Sequence, residues 1–294
     1  MLSEQQVDEF DGDGFLNAGP VLDEALLARL TEELDRILEK GPDGFAEREP
    51  QPVLFRDLAA GGYDGEDGGS GPTPVWQIVN IWEASPLFEG LIRHPFVVKA
   101  SSQLTGFDSL QVWHDQVQYK PPLVGGATGW HQDAPLWPSI EPMTPVSAWI
   151  PFDDADESNG CMWMVPGSHK WGNQMDVLGT QHHLKTLAEF ADVAPDFVPP
   201  PDAPVREVAA VCRPVRRGEV HFHHSLTWHG SPMNRSERPR RAIAIHYMTG
   251  EARYTGRAHC MQPFITIDVG QPMSGAGPHF PVVCRDGEPV PRGN

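Results

Sequence analysis

Two stretches of the chain decide its fold: Gly129-Trp130-His131-Gln132-Asp133 and the later segment Trp228-His229-Gly230-Ser231. One residue separates His131 from Asp133, and alternate residues of an extended strand point to the same face. An imidazole and a carboxylate would therefore reach one point in space from backbone positions about 7 Å apart. This pair alone is also compatible with a surface turn, so its meaning depends on the residues that accompany it.

The second stretch and the residues just before it offer several candidates for a further metal ligand. His221, His223 and His229 share parity along a strand, so spacing alone does not select one of them. Together with His131 and Asp133, one of these imidazoles would complete a 2-His-1-carboxylate set. That set leaves coordination positions open and is typical of non-haem iron(II) oxygenases.

An arginine opens the run from Arg240 to Tyr247, which is apolar enough to predict a buried strand. A buried guanidinium needs an anionic partner, and its forked donors suit a carboxylate. Arg240 and Arg241 would point to opposite faces of this strand. Ala242 and Ala244 share the face of Arg240, and their small side chains leave room there for a dicarboxylate. The alternative for Arg240 is a structural salt bridge.

The order and spacing of these motifs resemble the phytanoyl-CoA dioxygenase-like branch of the iron(II)/2-oxoglutarate-dependent oxygenases. The resemblance spans roughly residues 5 to 250 and leaves the last part of the chain unmatched. The matching residues are, in chain order, Tyr119-Lys120-Pro121-Pro122, His131-Gln132-Asp133, Trp149, Asn159-Gly160-Cys161, Val165-Pro166-Gly167-Ser168-His169-Lys170, His229-Gly230-Ser231, Asn234 and Arg240. In this pattern the third ligand directly precedes Gly-Ser, which selects His229 and leaves His223 and His224 as core residues or neighbours of the site.

The resemblance also implies cofactors and their contacts. The metal ligands of the family correspond to His131, Asp133 and His229, which would bind Fe(II) and carry catalysis. Its 2-oxoglutarate contacts correspond to Arg240, Ser231, Gln116 and Trp149, although the last two are equally compatible with core positions. With O2 as co-substrate, the implied reaction oxidises an unactivated C–H bond of a small molecule and releases succinate and CO2. Halogenating relatives lack the carboxylate ligand, so Asp133 favours hydroxylation or a related oxidation.

Short strands punctuated by turns follow one another from Leu110 onward and predict a mainly β protein. The predicted strands are 110–119, 128–133, 145–152, 161–165, 218–224 and 240–248. Such a series is typical of a sandwich or jelly roll. The resemblance implies the same fold, a double-stranded β-helix, with flanking N-terminal helices.

The N-terminal part is predicted to be mostly helical. Ser3 and Gln6 form a capping-box pattern at the start of a short helix, and leucines at helical spacing predict a second helix from Leu22 to Leu38. Residues 75–82 alternate as in a strand, and two short helices are predicted at 86–94 and 96–104. We expect one oxygenase domain over residues 1–294. It would comprise helical support at 1–109, a jelly-roll core at 110–250 with an insertion at 171–206, and a C-terminal extension at 251–294. The insertion, which carries His182 and His183, is predicted to cover the site.

Composition and charge limit the partners. A length of 294 residues with 39% hydrophobic residues suffices for one large domain, and the net charge of -18 argues against nucleic acid and anionic membranes. No signal peptide or membrane span is recognisable, so we expect a cytoplasmic protein acting on a small-molecule substrate. The four cysteines lack metal-site spacing and are expected to be free thiols. The sequence does not indicate an oligomeric state.

Two other classes of function are compatible with these residues. One is a jelly-roll metalloenzyme of non-oxidative type, such as a zinc hydrolase or isomerase, because a zinc site with three protein ligands has a similar pattern. The other is a non-catalytic small-molecule binding protein of the same fold. The intact ligand set and Arg240 count against the second class, and oxygen-dependent succinate formation separates the first from an oxygenase.

Overall fold

A computed structural model gives the fold of the chain and describes residues 1–58, 74–180, 199–201, 203 and 208–292. Its α-helices are α1 (Glu4–Asp13), α2 (Glu24–Lys40), α3 (Ile81–Ala84), α4 (Pro86–Ile92), α5 (Pro95–Thr105) and α6 (Met175–Thr180). Within the described ranges, no helix combines the length and the apolar character that crossing a membrane requires.

The two N-terminal helices form for the reasons that the sequence suggests. In α1 the Ser3 side chain accepts a hydrogen bond from the Gln6 backbone, and the Gln6 side chain accepts one from the Ser3 backbone, which confirms the capping box. Helix α2 is capped by Asp23 and buries its leucine face in the core. Helix α1 ends at Asp13, before Gly14, and α2 ends at Lys40, before Gly41.

The strands account for most of the remaining regular structure. They are β1 (Phe15–Pro20), β2 (Leu54–Asp57), β3 (Trp76–Val79), β4 (Leu110–Lys120), β5 (Thr128–His131), β6 (Ile140–Glu141), β7 (Val146–Pro151), β8 (Met162–Met164), β9 (Val211–Arg213), β10 (Glu219–His224), β11 (His229–Ser231), β12 (Arg240–Thr249), β13 (Arg253–Tyr254), β14 (Val282–Arg285) and β15 (Glu288–Pro289). Each strand predicted after residue 110 is present, with ends that shift by a few residues.

Two antiparallel sheets make up the core. The large sheet has the order β1-β10-β7-β12-β4-β14-β15, with β3 and β2 continuing from β4, and the small sheet has the order β5-β11-β8-β9. Strands adjacent in space are mostly distant in sequence, as expected when two sheets of a jelly roll are wound together. The predicted double-stranded β-helix is confirmed, with α1 to α5 preceding its central strands.

The central strand β12 separates two environments. Ile243 and Ile245 are fully buried in the core that also contains the N-terminal helices. On the other face, Ala244 lies in register between Gln116 of β4 and Trp149 of β7. The isoleucines and Ala244 therefore lie on opposite faces of β12, as strand parity requires.

The segment 75–82 differs from its prediction as a single strand. Strand β3 ends at Val79, Asn80 adopts a left-handed conformation with φ 54°, and α3 begins at Ile81. The Asp115 carboxylate accepts hydrogen bonds from the backbone of Ile81 at 2.8 Å and of Trp82 at 3.2 Å. The helix start is therefore stabilised by a residue distant in sequence, which local alternation does not reveal.

The C-terminal extension is part of the folded core. Strand β14 pairs with the start of β4 and so adds to the large sheet. Met261, Met273 and Phe280 are buried in a cluster with Trp113 of β4 and Trp137. Of the insertion at 171–206, the structure describes residues 171–180, 199–201 and 203, so His182, His183 and the predicted cover over the site lie outside the described residues. The domain boundaries remain a prediction.

Candidate metal and cofactor site

The two histidines of the candidate site lie opposite each other on neighbouring strands of the small sheet. His131 ends β5 and His229 begins β11; they are antiparallel partners with ring centroids 4.2 Å apart. Nδ1 of His131 lies 2.7 Å from the Gly129 carbonyl oxygen, and Nδ1 of His229 lies 2.9 Å from the Thr227 carbonyl oxygen. A carbonyl oxygen only accepts, so each Nδ1 carries a proton and Nε2 is the nitrogen left to bind a metal.

Asp133 reaches the same point from a turn rather than from the strand. The predicted strand extended to residue 133, but β5 ends at His131 and Asp133 has helical angles at the start of a 3-10 turn. Its Oδ1 atom lies 3.5 Å from Nε2 of both His131 and His229. The ligand atoms of the three residues all lie within 4.8 Å of one another, and no other such group occurs among the described residues.

The other oxygen of Asp133 faces the large sheet. Its Oδ2 atom lies 3.0 Å from Nε2 of His223, and the Ser147 hydroxyl donates to it over 3.3 Å. Burial alone would raise the pKa of Asp133, but the imidazoles of His229, His131 and His223 hold that pKa well below its usual range. Asp133 is therefore a carboxylate at neutral pH. Its Oδ1 atom faces His131 and His229, and its Oδ2 atom accepts hydrogen bonds from His223 and Ser147.

Arg240 lies buried beside this site, with 1% of its surface exposed. Its guanidinium makes one long hydrogen bond, 3.4 Å from Nη1 to the Gln118 carbonyl oxygen, and lies 5.9 Å from the Trp149 ring centroid. Its Nε has no hydrogen-bond partner, and within the described part of the chain no carboxylate pairs with it. Burial lowers the pKa of Arg240 to about 10, so the group stays charged at neutral pH.

Arg241 points the other way and has acidic partners. Its Nε and Nη2 donate to the two oxygens of Asp153 over 2.9 and 2.6 Å, and its Nη1 pairs with Asp35. These ion pairs raise the pKa of Arg241, in contrast to the lowered value of Arg240. The structural salt bridge considered for Arg240 belongs instead to its neighbour.

A narrow cavity lies between the triad and the predicted cofactor contacts. Its walls include His131, Asp133 and His229 together with Gln116, Trp149 and Ser231. All the residues predicted for the site are thus in or next to one cavity, with Arg240 beside its Trp149 wall. Their roles as ligands of a metal or of 2-oxoglutarate remain predictions.

Several neighbours of the site were not assigned from the sequence. Ser147 and His246 are register partners, and Ser147 Oγ lies 2.7 Å from His246 Nδ1. Strand parity could have found both, because Ser147 shares the face of Trp149 and His246 shares the face of Ala244. Burial lowers the pKa of His246 to about 3, so this imidazole is neutral.

Lys120 has a structural position. Its buried ammonium donates to the carbonyl oxygens of Ser231 and Pro232 and so ties β4 to the end of β11. Lys120 therefore links the two sheets and lies outside the candidate ligand set.

Comparison with known proteins identifies relatives over most of the chain. The sequence model of the family described as Phytanoyl-CoA dioxygenase (PhyH) matches residues 10–242. The phytanoyl-CoA dioxygenase domain-containing protein 1 of Bos taurus is 29% identical over 180 residues, which is 60% of this chain and 58% of that protein. The alignment therefore spans less than two thirds of this curated relative.

Solved structures share the fold over almost the full length. The non-haem α-ketoglutarate-dependent carbocyclase SnoK from nogalamycin biosynthesis has a TM-score of 0.70 and 26% sequence identity, and the match covers 96% of each chain. The epimerase SnoN, in complex with Fe3+, α-ketoglutarate and nogalamycin RO, has a TM-score of 0.67 and 19% identity, covering 95% of this chain and 97% of that one. The second likeness concerns the fold alone.

Proposed function

Because the chain belongs to the phytanoyl-CoA dioxygenase family of iron(II)/2-oxoglutarate-dependent oxygenases, we propose that it oxidises a C–H bond of a small molecule with consumption of 2-oxoglutarate and O2. His131, Asp133 and His229 would bind the iron, and Arg240 would bind the far carboxylate of 2-oxoglutarate. The observation that carries this proposal is the buried, unpaired guanidinium next to a cavity that contains a complete 2-His-1-carboxylate set.

The chemistry of the donor set supports iron. Two imidazoles face the Oδ1 atom of one carboxylate through their Nε2 atoms, each over 3.5 Å. The hydrogen bonds from Nδ1 to backbone carbonyls hold each imidazole in the tautomer that a metal requires. Three protein ligands leave the remaining positions of the metal for 2-oxoglutarate and dioxygen.

The unpaired guanidinium supports a dicarboxylate as the second ligand. A buried charge without a partner is costly, so a protein that keeps one has a use for it that the ligand-free state does not reveal. Ala242 and Ala244 place only methyl groups on the face of β12 that carries Arg240, and Ala244 lines the space of the cavity. A carboxylate in that space would accept the two parallel hydrogen bonds that a guanidinium offers.

Bound iron would supply the activation of dioxygen, coupled to decarboxylation of 2-oxoglutarate to succinate and CO2. The chain itself contributes orientation and the exclusion of water. Asp133 and His229 are 7% and 6% exposed, so the reacting centre lies below the protein surface. His131, at the edge of the cavity, is more exposed and marks the side from which a substrate would approach.

The proposed substrate is a free small molecule. The similar structures named above are those of a carbocyclase and an epimerase, both from nogalamycin biosynthesis. The similarity of this chain to them therefore does not fix which bond of the substrate is oxidised. Hydroxylation is the simplest outcome for a site that keeps its carboxylate ligand.

An anaerobic titration with iron(II) tests the ligand assignment. We expect one tightly bound iron per wild-type chain and none in Asp133→Ala or His229→Ala, with the fold preserved in each variant by circular dichroism. His224→Ala is the matched control, because this histidine ends the strand that carries His223 but packs against Phe10 and His169. Stoichiometric iron in the Asp133→Ala/His229→Ala double variant would contradict the assignment.

A further inference from the structure

We propose that His223 is a positioning residue that holds Asp133 in coordination through a single oxygen, an inference that rests on the proposed iron site. The sequence left His223 as one of three histidines with the parity of a ligand. Its contact with the carboxylate assigns it a different role. His223 is 2% exposed, and its Nε2 lies 3.0 Å from Asp133 Oδ2.

The two oxygens of Asp133 have separate partners. Oδ1 lies equally far, 3.5 Å, from Nε2 of His131 and of His229, which both belong to the small sheet. Oδ2 is bound by His223 and Ser147, which are register partners on β10 and β7 of the large sheet. The carboxylate thus bridges the two sheets, and only one of its oxygens faces the histidine pair.

His223 itself is not arranged as a ligand. A carboxylate oxygen only accepts hydrogen bonds, so the Nε2 of His223 must carry the proton that it donates to Asp133. The lone pair needed to bind a metal is then on Nδ1, which is buried and has no partner. In agreement, the group of ligand atoms within 4.8 Å of one another contains His131, Asp133 and His229 but not His223.

The hydrogen bond affects how many positions remain open on the metal. A carboxylate can bind a cation through one oxygen or through both. Binding through both would occupy a position that 2-oxoglutarate or dioxygen needs. Two donors on Oδ2 satisfy its lone pairs and favour binding through Oδ1 alone, as outer hydrogen bonds do at other metal sites.

Three single variants separate this role from simple packing. His223→Phe keeps a buried ring but removes the donor, and His223→Gln restores an N–H at the position of Nε2. His221→Phe is the control, because His221 is two residues away on the same strand and fully buried but contacts Asn17 and Met164. Removal of such outer partners typically weakens metal affinity about 10–100-fold. We expect that loss in His223→Phe, recovery to within about tenfold of wild type in His223→Gln, and little change in His221→Phe.

The measurement is an anaerobic iron(II) titration, followed by the visible charge-transfer absorption that appears when 2-oxoglutarate chelates the iron. If His223 acts through its hydrogen bond, the absorption at saturating iron should be shifted or weakened in His223→Phe and unchanged in His221→Phe. If His223 affects packing alone, the spectrum of the iron-saturated site should be unaltered in both variants. Circular dichroism and urea midpoints confirm that each variant is folded.

The outcomes distinguish the inference from its premise. A wild-type chain that binds no iron overturns the proposed function and this inference with it. A wild-type chain that binds iron, together with a His223→Phe variant of equal affinity and unchanged spectrum, overturns the positioning role alone. Equal losses in His221→Phe and His223→Phe also overturn it, because they indicate a common packing effect.

Discussion

Replacement of Arg240 by methionine should weaken the binding of 2-oxoglutarate, whereas replacement of Arg241 by methionine should lower the stability of the fold. Methionine fills a similar space without the charge, and the two arginines are adjacent on β12. Arg240 is fully buried with a single 3.4 Å hydrogen bond, whereas Arg241 makes a two-pronged contact with Asp153 and a further ion pair with Asp35. Under the proposed function, the Arg240 guanidinium would bind a ligand, whereas the Arg241 guanidinium stabilises the fold.

The expected magnitudes follow from these surroundings. Loss of one partner of a buried charged pair costs about 3–5 kcal/mol, so Arg240→Met should raise the dissociation constant for 2-oxoglutarate at least about 100-fold. The stability of the ligand-free Arg240→Met protein should be equal to or higher than that of wild type, because the substitution removes a buried charge that has no acidic partner. Arg241→Met should lose about 1–3 kcal/mol of unfolding free energy, since its contacts are hydrogen bonds between charged groups of low exposure. Its affinity for 2-oxoglutarate should stay within about threefold of wild type.

The assay combines anaerobic calorimetric titration of the iron-loaded protein with 2-oxoglutarate and urea unfolding of the ligand-free protein. The reasoning is refuted if Arg241→Met weakens 2-oxoglutarate binding and Arg240→Met does not. A large loss of stability in Arg240→Met would contradict the description of Arg240 as an unpaired charge.

Three further predictions concern other parts of the molecule. Burial lowers the pKa of His246 from 6.5 to about 3, so between these values only the unfolded chain takes up the proton, and stability falls as the pH is lowered. From pH 7 to pH 5, metal-free wild-type protein should lose about 2 kcal/mol more unfolding free energy than His246→Phe, and parallel pH profiles from urea titrations would contradict this. The Sγ atoms of Cys161 and Cys212 lie 3.1 Å apart, so dilute peroxide should oxidise this pair to a disulfide, detected by non-reducing peptide mapping, while the other two thiols stay free. Recovery of both thiols after that treatment would refute the expectation. With 40 acidic residues against 22 basic ones, the chain should prefer free acids to coenzyme A thioesters, whose phosphates need basic partners. Substrate-dependent succinate formation with thioesters alone would show the preference to be wrong.

The elements that the sequence predicted correctly are those that short-range patterns determine. The capping box at Ser3, the leucine face of α2 and the alternation of β12 each depend on residues within one element. The residues of the candidate site could also be predicted from the sequence, because those that meet in the cavity belong to motifs with fixed spacing. Strand parity also predicted that Arg240 and Arg241 lie on opposite faces of β12, and their separate contacts agree with this.

The parts that the sequence did not predict depend on contacts between distant segments. The first backbone N–H groups of helix α3 donate to the side chain of Asp115. Asp115 lies more than thirty positions later in the chain. The C-terminal extension has no strong periodicity, yet β14 completes the edge of β4. Spacing alone likewise did not separate His223 from His229, and only the family resemblance selected His229. The structure separates them through Asp133, whose turn brings its two oxygens to different sheets.

Stoichiometric turnover is the most direct test of the proposed chemistry. Iron-loaded protein would be mixed with 2-oxoglutarate and a library of candidate small molecules, and succinate, CO2 and consumed O2 would be quantified for each compound. We predict that a compound exists for which the three quantities are equal, that succinate formation requires both iron(II) and O2, and that Asp133→Ala abolishes it. Metal-dependent conversion of a small molecule that proceeds without O2 and yields no succinate would contradict the account and indicate a non-oxidative metalloenzyme.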